Sequence, residues 1–311
     1  MKDDLKEKCN ICPRKCNSTR SDDELGYCRS GNTVKIARAA LHMWEEPCIS
    51  GTEGSGAVFF SGCNLGCVYC QNRDISRGQR GREILASELA DIFLRLQDEK
   101  KANNINLVTP SHYVRQIIEA LDIAKSHGLR VPVVYNTGTY ELTETLRMLE
   151  GYVDVYLPDC KYFDEKRAVK YSNAPGYFEI AFEAIKEMYR QVGKPQFNEK
   201  GIMTKGVIAR LLILPEGTKD SKAVLEKLYG EFGNDIYYSI MSQYTPMNMD
   251  SNGDKSAGND LPKDFPELCR KITKREYNRV IDYALELGID NAFIQEGDVA
   301  RESFIPAWDL E

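Results

Sequence analysis

Residues 57–72 read AVFFSGCNLGCVYCQN, and this stretch decides both the fold and the chemistry of the chain. Its first six residues form a short apolar run that ends at a turn, which predicts a buried strand. Cys63, Cys67 and Cys70 follow with the spacing C-x3-C-x2-C. Three thiolates on one short loop can hold three irons of a cubane iron–sulfur cluster. The fourth iron then has no protein ligand, and catalysis at a metal requires such an open position.

Apolar runs and helical patterns alternate on the C-terminal side of this loop. Strands are predicted at 57–62, 105–109, 131–135, 152–158, 207–215, 235–241 and 291–295. Helices are predicted at 83–100, 110–128, 141–150, 177–191, 220–231 and 273–287. Such alternation indicates parallel strand–helix–strand units. Seven strands are one fewer than a closed TIM barrel needs, so we expect an α/β fold with an open, partial TIM-type β/α barrel. Its active site should lie at the C-terminal ends of the strands.

The chain divides into three predicted parts. A small Cys-rich module occupies residues 1–50, the partial barrel residues 51–300, and a C-terminal tail residues 301–311. Residues 245–264 interrupt the alternation with many Gly, Asn, Asp and Pro residues. They are interpreted as a solvated surface loop or as a lid over the barrel mouth.

Composition limits the class of protein. The 311 residues include 42% hydrophobic and 28% charged side chains, which are ordinary values for a folded globular chain. The formal net charge of −6 argues against a nucleic-acid partner, which a basic face would bind. No apolar run is long enough to cross a bilayer, and the charged N-terminus lacks the apolar stretch of a signal peptide. We therefore expect a cytoplasmic protein without a membrane partner, in which clustered cysteines bind metal.

A second group of four cysteines lies near the N-terminus. Its members follow the spacing C-x2-C-x3-C-x11-C and are Cys9, Cys12, Cys16 and Cys28. Four thiolates complete a tetrahedral shell, so this predicted metal site would be closed. Either Zn²⁺ or a second [4Fe–4S] cluster would satisfy it. Because the module has few apolar residues, the metal would supply much of its folding free energy.

The cysteine loop resembles the radical S-adenosylmethionine (SAM) superfamily, since Tyr69 stands directly before the third cysteine of the motif. In that superfamily SAM chelates the open iron of a [4Fe–4S] cluster. One electron then breaks a C–S bond and gives methionine and a 5′-deoxyadenosyl radical. The segments 59–72 and Asp159-Cys160-Lys161 look most like the subgroup of pyruvate formate-lyase activating enzyme. Together with segments 44–72, 157–162 and 293–296, they resemble an uncharacterised branch related to that activase.

This resemblance implies roles for several residues at predicted strand ends. Asp159 matches an activase residue near the SAM carboxylate and a bound cation, and Lys161 matches a residue of the SAM site. Asn136-Thr137 stands where the activase has Asp-Thr, which removes one charge from the cation site. The activase binds the SAM amine after its second strand, where Asn106 and Thr109, with Ser111, offer oxygen acceptors here.

Two further residues are assigned from their positions. Arg210, in a predicted strand, either clamps the carboxylate of SAM or lies exposed at a strand edge. His112 is interpreted as a residue of a helix N-terminus in preference to a catalytic residue.

These patterns lead to one function hypothesis and two alternatives. An activase-like enzyme would abstract hydrogen from a glycine or another residue of a partner protein, such as a glycyl radical protein. It would receive its electron from a donor such as flavodoxin or ferredoxin. The first alternative is a radical SAM enzyme that modifies a peptide or a small metabolite. The second is an Fe–S electron-transfer protein without turnover, which would not need an open iron.

Overall fold

The computed structural model of the chain describes residues 8–21, 23–77, 80–246 and 264–295. Its strands in chain order are β1 (Val34–His42), β2 (Ser55–Phe60), β3 (Arg82–Ile84), β4 (Ile105–Val108), β5 (Val133–Thr137), β6 (Val155–Pro158), β7 (Gln196–Phe197), β8 (Met203–Leu212), β9 (Tyr237–Met241) and β10 (Ala292–Ile294). Its α-helices are α1 (Pro47–Ser50), α2 (Arg73–Ser76), α3 (Ala86–Asp98), α4 (Val114–Ser126), α5 (Thr143–Arg147), α6 (Glu165–Ser172), α7 (Tyr177–Val192), α8 (Thr218–Phe232) and α9 (Lys274–Leu287).

The described strands form one sheet with the order β10-β9-β8-β6-β5-β4-β2-β1-β3, and β7 pairs with β8. Along this order every neighbouring pair from β2 to β10 is parallel, whereas β7 pairs antiparallel with β8. β1 pairs antiparallel with β2, and β3 pairs antiparallel with β1. β3 and β10 are the two edges of this path, so the sheet is open. The predicted α/β fold with an open partial barrel is confirmed, and all seven predicted parallel strands are present.

Several elements differ from the prediction, which also lacks the short elements β7, α1, α2 and α6. The helix expected at 83–100 begins only at Ala86, because Arg82–Ile84 extends the sheet as β3 beside β1. β1 itself was not predicted. It lies within residues 1–50 and continues the barrel sheet, while the division of the chain at residue 50 stays a prediction. The predicted loop 245–264 lies mostly outside the described residues, and the tail 301–311 lies wholly outside them.

Successive side chains of each strand point alternately to the outer, helix-covered face of the sheet and to the barrel interior. Val58 and Phe60 of β2 pack with helices α3 and α4 in the main core, whereas Ala57 and Phe59 belong to a separate cluster on the other face. Because successive side chains of a strand point to opposite faces, the face of each polar residue follows from its position relative to apolar neighbours.

The interior face carries polar residues near the strand ends. On β5 and β8 the outer-core residues are Val133, Tyr135, Val207, Ala209 and Leu211. Asn136 and Arg210 therefore have the opposite parity and belong to the interior face. No helix among the described residues is long and apolar enough to cross a membrane.

Candidate active site

The loop at residues 62–70, here called the cluster loop, follows β2 and turns sharply at two glycines. Gly62 has φ +93° and Gly66 has φ +65°, conformations that L side chains rarely adopt. A Cβ atom on Gly62 would overlap the Ser30 hydroxyl and would lie 2.7 Å from the Cys28 carbonyl oxygen. The loop can therefore pack closely against the N-terminal segment only if residue 62 has no side chain.

Cys63, Cys67 and Cys70 on the cluster loop line one side of a cavity with a volume of about 360 Å³. Burial raises the pKa of Cys63, and the Cys67 thiol raises it further. Burial also raises the pKa of Cys70 to about 12, again with its two neighbours adding to the shift. Three thiolates in one buried site would repel one another, so these thiols need nearby positive charge to ionise, and bound iron would supply that charge.

Two hydrogen bonds reach the sulfur atoms, one from helix α6 and one from the cluster loop itself. The Ser172 hydroxyl donates to Cys67 Sγ at 2.9 Å, and the Leu65 N–H donates to Cys63 Sγ at 3.4 Å. No three Cys, His, Asp or Glu side chains of the described chain converge as a ready site for a single metal ion. A cubane takes one thiolate for each iron, so its ligands need not converge on one point. The residues of the loop fit a cluster with three protein ligands.

The strand ends supply the opposite side of the cavity. Its wall there includes Thr109 after β4, Asn136 of β5, Asp159 and Lys161 after β6, and Arg210 of β8. Tyr69 also lines the cavity from the cluster loop. Parallel strands bring these residues together because their carboxyl ends meet at one edge of the sheet.

A buried network of charges connects this wall. Arg210 donates through Nε to Asp159 at 2.8 Å, through Nη1 to Glu45 at 3.1 Å, and through Nη2 to Asn136 at 2.5 Å. Lys161 Nζ donates to the other oxygen of Asp159 at 2.7 Å. The four charged side chains are only 10–18% exposed. Arg210 is therefore buried, and the alternative of an Arg exposed at a strand edge is wrong.

The pKa shifts show which groups stay charged. Burial alone would raise the pKa of Asp159, but Arg210 and Lys161 outweigh burial and hold it below its usual value. Burial alone would lower the pKa of Lys161, but Asp159 and the Cys67 thiol raise it above its usual value. Both groups are thus ionised at neutral pH. Burial raises the pKa of Glu45, and Arg210 partly offsets this.

Comparison with known families agrees with this geometry. Residues 57–206, which run from β2 into β8 and include the cluster loop, match the family model of the radical SAM superfamily. Residues 57–206, just under half of the chain, are thus similar to the radical SAM superfamily. That family implies SAM and a [4Fe–4S] cluster as cofactors, and the three-cysteine loop beside a charged cavity fits both.

Relatives and solved structures add to this comparison. An uncharacterized protein of Methanocaldococcus jannaschii is 27% identical over 296 residues, which are 91% of this chain and 76% of that protein. The pyruvate formate-lyase-activating enzyme of Clostridium pasteurianum is 29% identical over 119 residues, 35% of this chain and 46% of that enzyme. Streptococcus suis SuiB bound to S-adenosylmethionine matches at 14% identity and a TM-score of 0.48, covering 76% of this chain. The chain spans about half, 49%, of that structure.

Two residues predicted to contact SAM, Thr137 and Asn106, lie outside the cavity wall. Thr137 follows Asn136 and has the opposite parity; its hydroxyl donates to Glu141 at 2.5 Å behind the sheet. Asn106 has no exposed surface, and neither polar atom of its amide has the geometry of a hydrogen bond. The Asn106 amide nevertheless lies near enough to Glu45 to lower the pKa of that carboxyl. SAM-binding roles for both residues stay predictions.

Three other candidates have partners in the structure. His112 is buried, its Nε2 lies 2.8 Å from the Ser61 carbonyl, and burial lowers its pKa to about 3. The Ser111 hydroxyl donates to Glu141 behind the sheet. The Tyr69 hydroxyl accepts from Tyr162 at 2.7 Å, so this tyrosine anchors the cluster loop as well as lining the cavity.

Sequence reasoning missed Glu45 and Trp44. Glu45 is a member of the charged network, and Trp44 lines the cavity although 66% of its surface is exposed. Both follow β1, the strand that was not predicted. The available signal was the pair of adjacent acids in WEEP at 44–47, at the start of segment 44–72, which carries the resemblance and contains the cluster loop.

The N-terminal cysteines also come close to one another. Cys12 and Cys28 are buried, whereas Cys16 is exposed. Burial raises the pKa of Cys12 to about 12, and the Glu141 carboxyl and the thiols of Cys28 and Cys16 add to the shift. Burial also raises the pKa of Cys28, and the Cys9 thiol adds to this shift. A metal at these four thiols, and its identity as zinc or iron–sulfur, stays a prediction.

Proposed function

We propose that this chain is an activase-like radical SAM enzyme. It binds a [4Fe–4S] cluster through Cys63, Cys67 and Cys70, binds SAM in the cavity, and abstracts hydrogen from a partner polypeptide. With its cofactors bound, the site supplies one-electron cleavage of a C–S bond of SAM. The observation that carries this proposal is the cavity itself, in which three cysteines face a buried group of ionised side chains.

The charge of the cavity wall supports SAM as the ligand. Arg210 and Lys161 give two positive charges, and Asp159 and Glu45 offer carboxyl groups of opposite sign on the same wall. Charges of both signs complement SAM, which carries a carboxylate as well as a sulfonium and an ammonium.

Each part of the amino-acid end of SAM has a partner in this arrangement. Arg210 already serves three acceptors, so it holds the wall in place, and Lys161 is the better partner for the SAM carboxylate. Asp159, together with the side-chain oxygens of Glu45 and Thr109, can accept from the SAM ammonium.

The size of the cavity favours a substrate that reaches in from outside. A volume of about 360 Å³ lies at the small end of the roughly 300–1,000 Å³ range of ligand pockets, so SAM alone would fill much of it. The hydrogen donor must then approach the mouth, where the exposed ring of Trp44 lies. A backbone glycine on a loop suits such an approach, because its Cα radical is delocalised over both flanking amides. The similarity to an enzyme named as a pyruvate formate-lyase activator supports the same class of substrate.

The proposal includes the setting in which the enzyme works. The cluster needs a one-electron donor, for which a flavodoxin or ferredoxin is suitable. A reduced, oxygen-sensitive cluster also favours the cytoplasm. These assignments rest on the proposed reaction.

The test is hydrogen transfer between SAM and a partner protein under anaerobic conditions. The reconstituted enzyme is incubated with reductant, SAM and glycyl radical proteins encoded beside its gene. We expect a glycine-type radical signal in EPR, and deuterium from a Cα-deuterated glycine should appear in 5′-deoxyadenosine. Rapid turnover of a peptide or a metabolite without any protein radical would contradict the activase assignment while leaving radical SAM chemistry intact.

A further inference from the structure

The guanidinium of Arg14 lies between the two cysteine groups of the chain. Arg14 stands between Cys12 and Cys16 in sequence, but its side chain reaches the cluster loop. Its Nε donates to the Asn64 carbonyl at 2.7 Å, and Nη2 extends to the Leu65 carbonyl at 3.5 Å. These are the two residues that follow Cys63. An N-terminal side chain thus holds the backbone between the first and second cysteines of the cluster loop.

The same guanidinium binds a second segment that contacts the cluster loop. It donates to the carbonyls of Ser172, at 3.0 Å, and Asn173, at the C-terminal end of α6. The hydroxyl of Ser172 donates to Cys67 Sγ, and the Tyr171 carbonyl accepts from the Val68 N–H at 2.9 Å. Arg14 therefore connects the loop to the residue that hydrogen-bonds one of the cluster thiols.

Two tyrosine rings fix the guanidinium in its place. The central carbon of Arg14 lies 3.8 Å from the centroid of the Tyr27 ring and 5.1 Å from that of Tyr140. Tyr27 precedes Cys28 and donates its own hydroxyl to the Leu65 carbonyl at 3.0 Å. A planar guanidinium suits this slot, because it can contact aromatic faces and direct several N–H groups at carbonyls in its plane.

A separate contact joins the N-terminal segment to the start of the loop. The Cys28 carbonyl and the Ser30 hydroxyl pack directly against Gly62. The Ser30 hydroxyl also lies within 3.5 Å of the Ser61 carbonyl. The N-terminal segment thus contacts the cluster loop on both sides of Cys63, at residues 61–62 and at residues 64–65.

We propose that Arg14 is a positioning residue for the radical cluster. It fixes the backbone at Asn64 and Leu65 and the Ser172 donor, and so sets the geometry in which Cys63 and Cys67 hold iron with one position open. Residues 9–28 thereby act as a clamp on the cluster loop as well as a metal-binding segment. This inference rests on the proposed cluster at Cys63, Cys67 and Cys70, but not on the identity of the substrate.

The experiment compares Arg14→Ala with Arg130→Ala, which removes an exposed arginine outside both cysteine groups. Both full-length proteins are reconstituted anaerobically, and the EPR spectrum of the reduced cluster is recorded with and without SAM. For Arg14→Ala we expect a broadened cluster signal, little change on adding SAM, and SAM cleavage reduced about tenfold or more, because charge-assisted hydrogen bonds to the loop are lost. Arg130→Ala should match wild type. An Arg14→Ala protein with the wild-type spectrum and the wild-type response to SAM would overturn the proposal.

Two further arms separate positioning from folding. Added methylguanidinium should restore the SAM-dependent EPR change of Arg14→Ala by entering the slot between the tyrosine rings, whereas Arg14→Lys should stay impaired because an ammonium cannot reach the same carbonyls. If Arg14→Ala does not fold, Tyr27→Phe removes only the hydroxyl that binds Leu65 and should shift the spectrum in the same direction by a smaller amount. An unshifted spectrum in Tyr27→Phe together with full activity of Arg14→Lys would contradict the proposal. A wild-type protein that assembles the cluster but cleaves no SAM would refute the proposed function alone, since the cluster spectra still test Arg14.

Discussion

The two cysteine groups of this chain lie against each other but face different surroundings. Cys63, Cys67 and Cys70 face a cavity whose far wall carries Asp159 and Lys161. The N-terminal cysteines are not among the described residues that line this cavity, and Cys12 is near Glu141 behind the sheet. Three thiolates beside a cavity leave room for a substrate on the metal, whereas four thiolates without a cavity predict a closed site. The surroundings therefore favour a catalytic role for the three cysteines of the cluster loop and a structural role for the four N-terminal cysteines.

Two buried carboxyl groups show the same contrast. Asp159, on the cavity side, pairs with Arg210 and Lys161, and these cations hold its pKa below the usual value despite burial. Among the described residues, Glu141, near the N-terminal group, accepts from the neutral hydroxyls of Ser111, Thr137 and Tyr135, and burial raises its pKa to about 7. The cavity wall thus keeps its acid ionised for a charged ligand.

The largest effect is expected at the cluster loop. Replacing Cys63, Cys67 or Cys70 by Ala removes one of only three protein ligands, so each variant should lose the [4Fe–4S] absorption and all detectable SAM cleavage. Cys269→Ala, a change at a cysteine outside both groups, is the matched control and should behave as wild type. Iron content and visible absorption after anaerobic reconstitution measure the outcome. Full cluster content in any of the three loop variants would show that this cysteine is not a ligand.

The next effect concerns the pH dependence of stability. Glu141 has a raised pKa in the folded chain, about 7, against about 4.5 when unperturbed. The folded state therefore binds the proton more tightly, and the stability due to the protonated form is lost as pH rises from about 5 to about 8. The expected loss is on the order of 2 kcal/mol. Glu141→Gln should flatten this part of the profile in denaturant unfolding from pH 5 to 8. If the stability of Glu141→Gln fell with pH as steeply as that of wild type, a group other than Glu141 would be responsible for the titration.

A smaller effect is expected at the charged wall. Asp159→Asn keeps the shape of the side chain but removes the charge that pairs with Arg210 and Lys161, so SAM binding or turnover should fall about tenfold. The exposed ion pair of Asp98 with Arg130 offers a control, because Asp98→Asn should leave the kinetics unchanged. Initial rates at several SAM concentrations distinguish the two variants. Wild-type KM and kcat in Asp159→Asn would remove this residue from the SAM site.

The smallest effect should follow from loss of the N-terminal metal. Cys9→Ser combined with Cys12→Ser should lower the metal content by one site and reduce SAM cleavage severalfold without abolishing it. The remaining activity is expected because the ligands on the cluster loop are intact, while the support through Arg14 is weakened. Elemental analysis beside a SAM-cleavage assay measures both quantities. Unchanged metal content would rule out the N-terminal site.

Much of the fold could be predicted because parallel strand–helix units repeat locally. Each of the seven parallel strands is a short apolar run. It can therefore be predicted from its own residues, without information about distant ones. β1 could not be found in this way, since its stability comes from antiparallel pairing with β2 and β3. Missing β1 also hid Glu45, which reaches the site only because this strand brings the segment after it to the cavity.

The site was predictable where residue type and strand position coincide. Asp159, Lys161 and Arg210 lie at the ends of neighbouring strands, and parallel pairing brings such ends together. Thr137 was placed beside Asn136 in the site, although two successive residues of a strand point to opposite faces. Burial was a separate difficulty, because nothing in the sequence shows that Asn106 has no exposed surface and does not line the cavity.

The most direct test of the central claim is to measure the products of SAM cleavage. The wild-type chain, reconstituted anaerobically and supplied with dithionite and SAM, is analysed for 5′-deoxyadenosine and methionine by liquid chromatography and mass spectrometry. The account predicts both products in equal amounts, with formation lost in the Cys63→Ala, Cys67→Ala and Cys70→Ala variants. A fully assembled [4Fe–4S] cluster that binds SAM but yields neither product would contradict it.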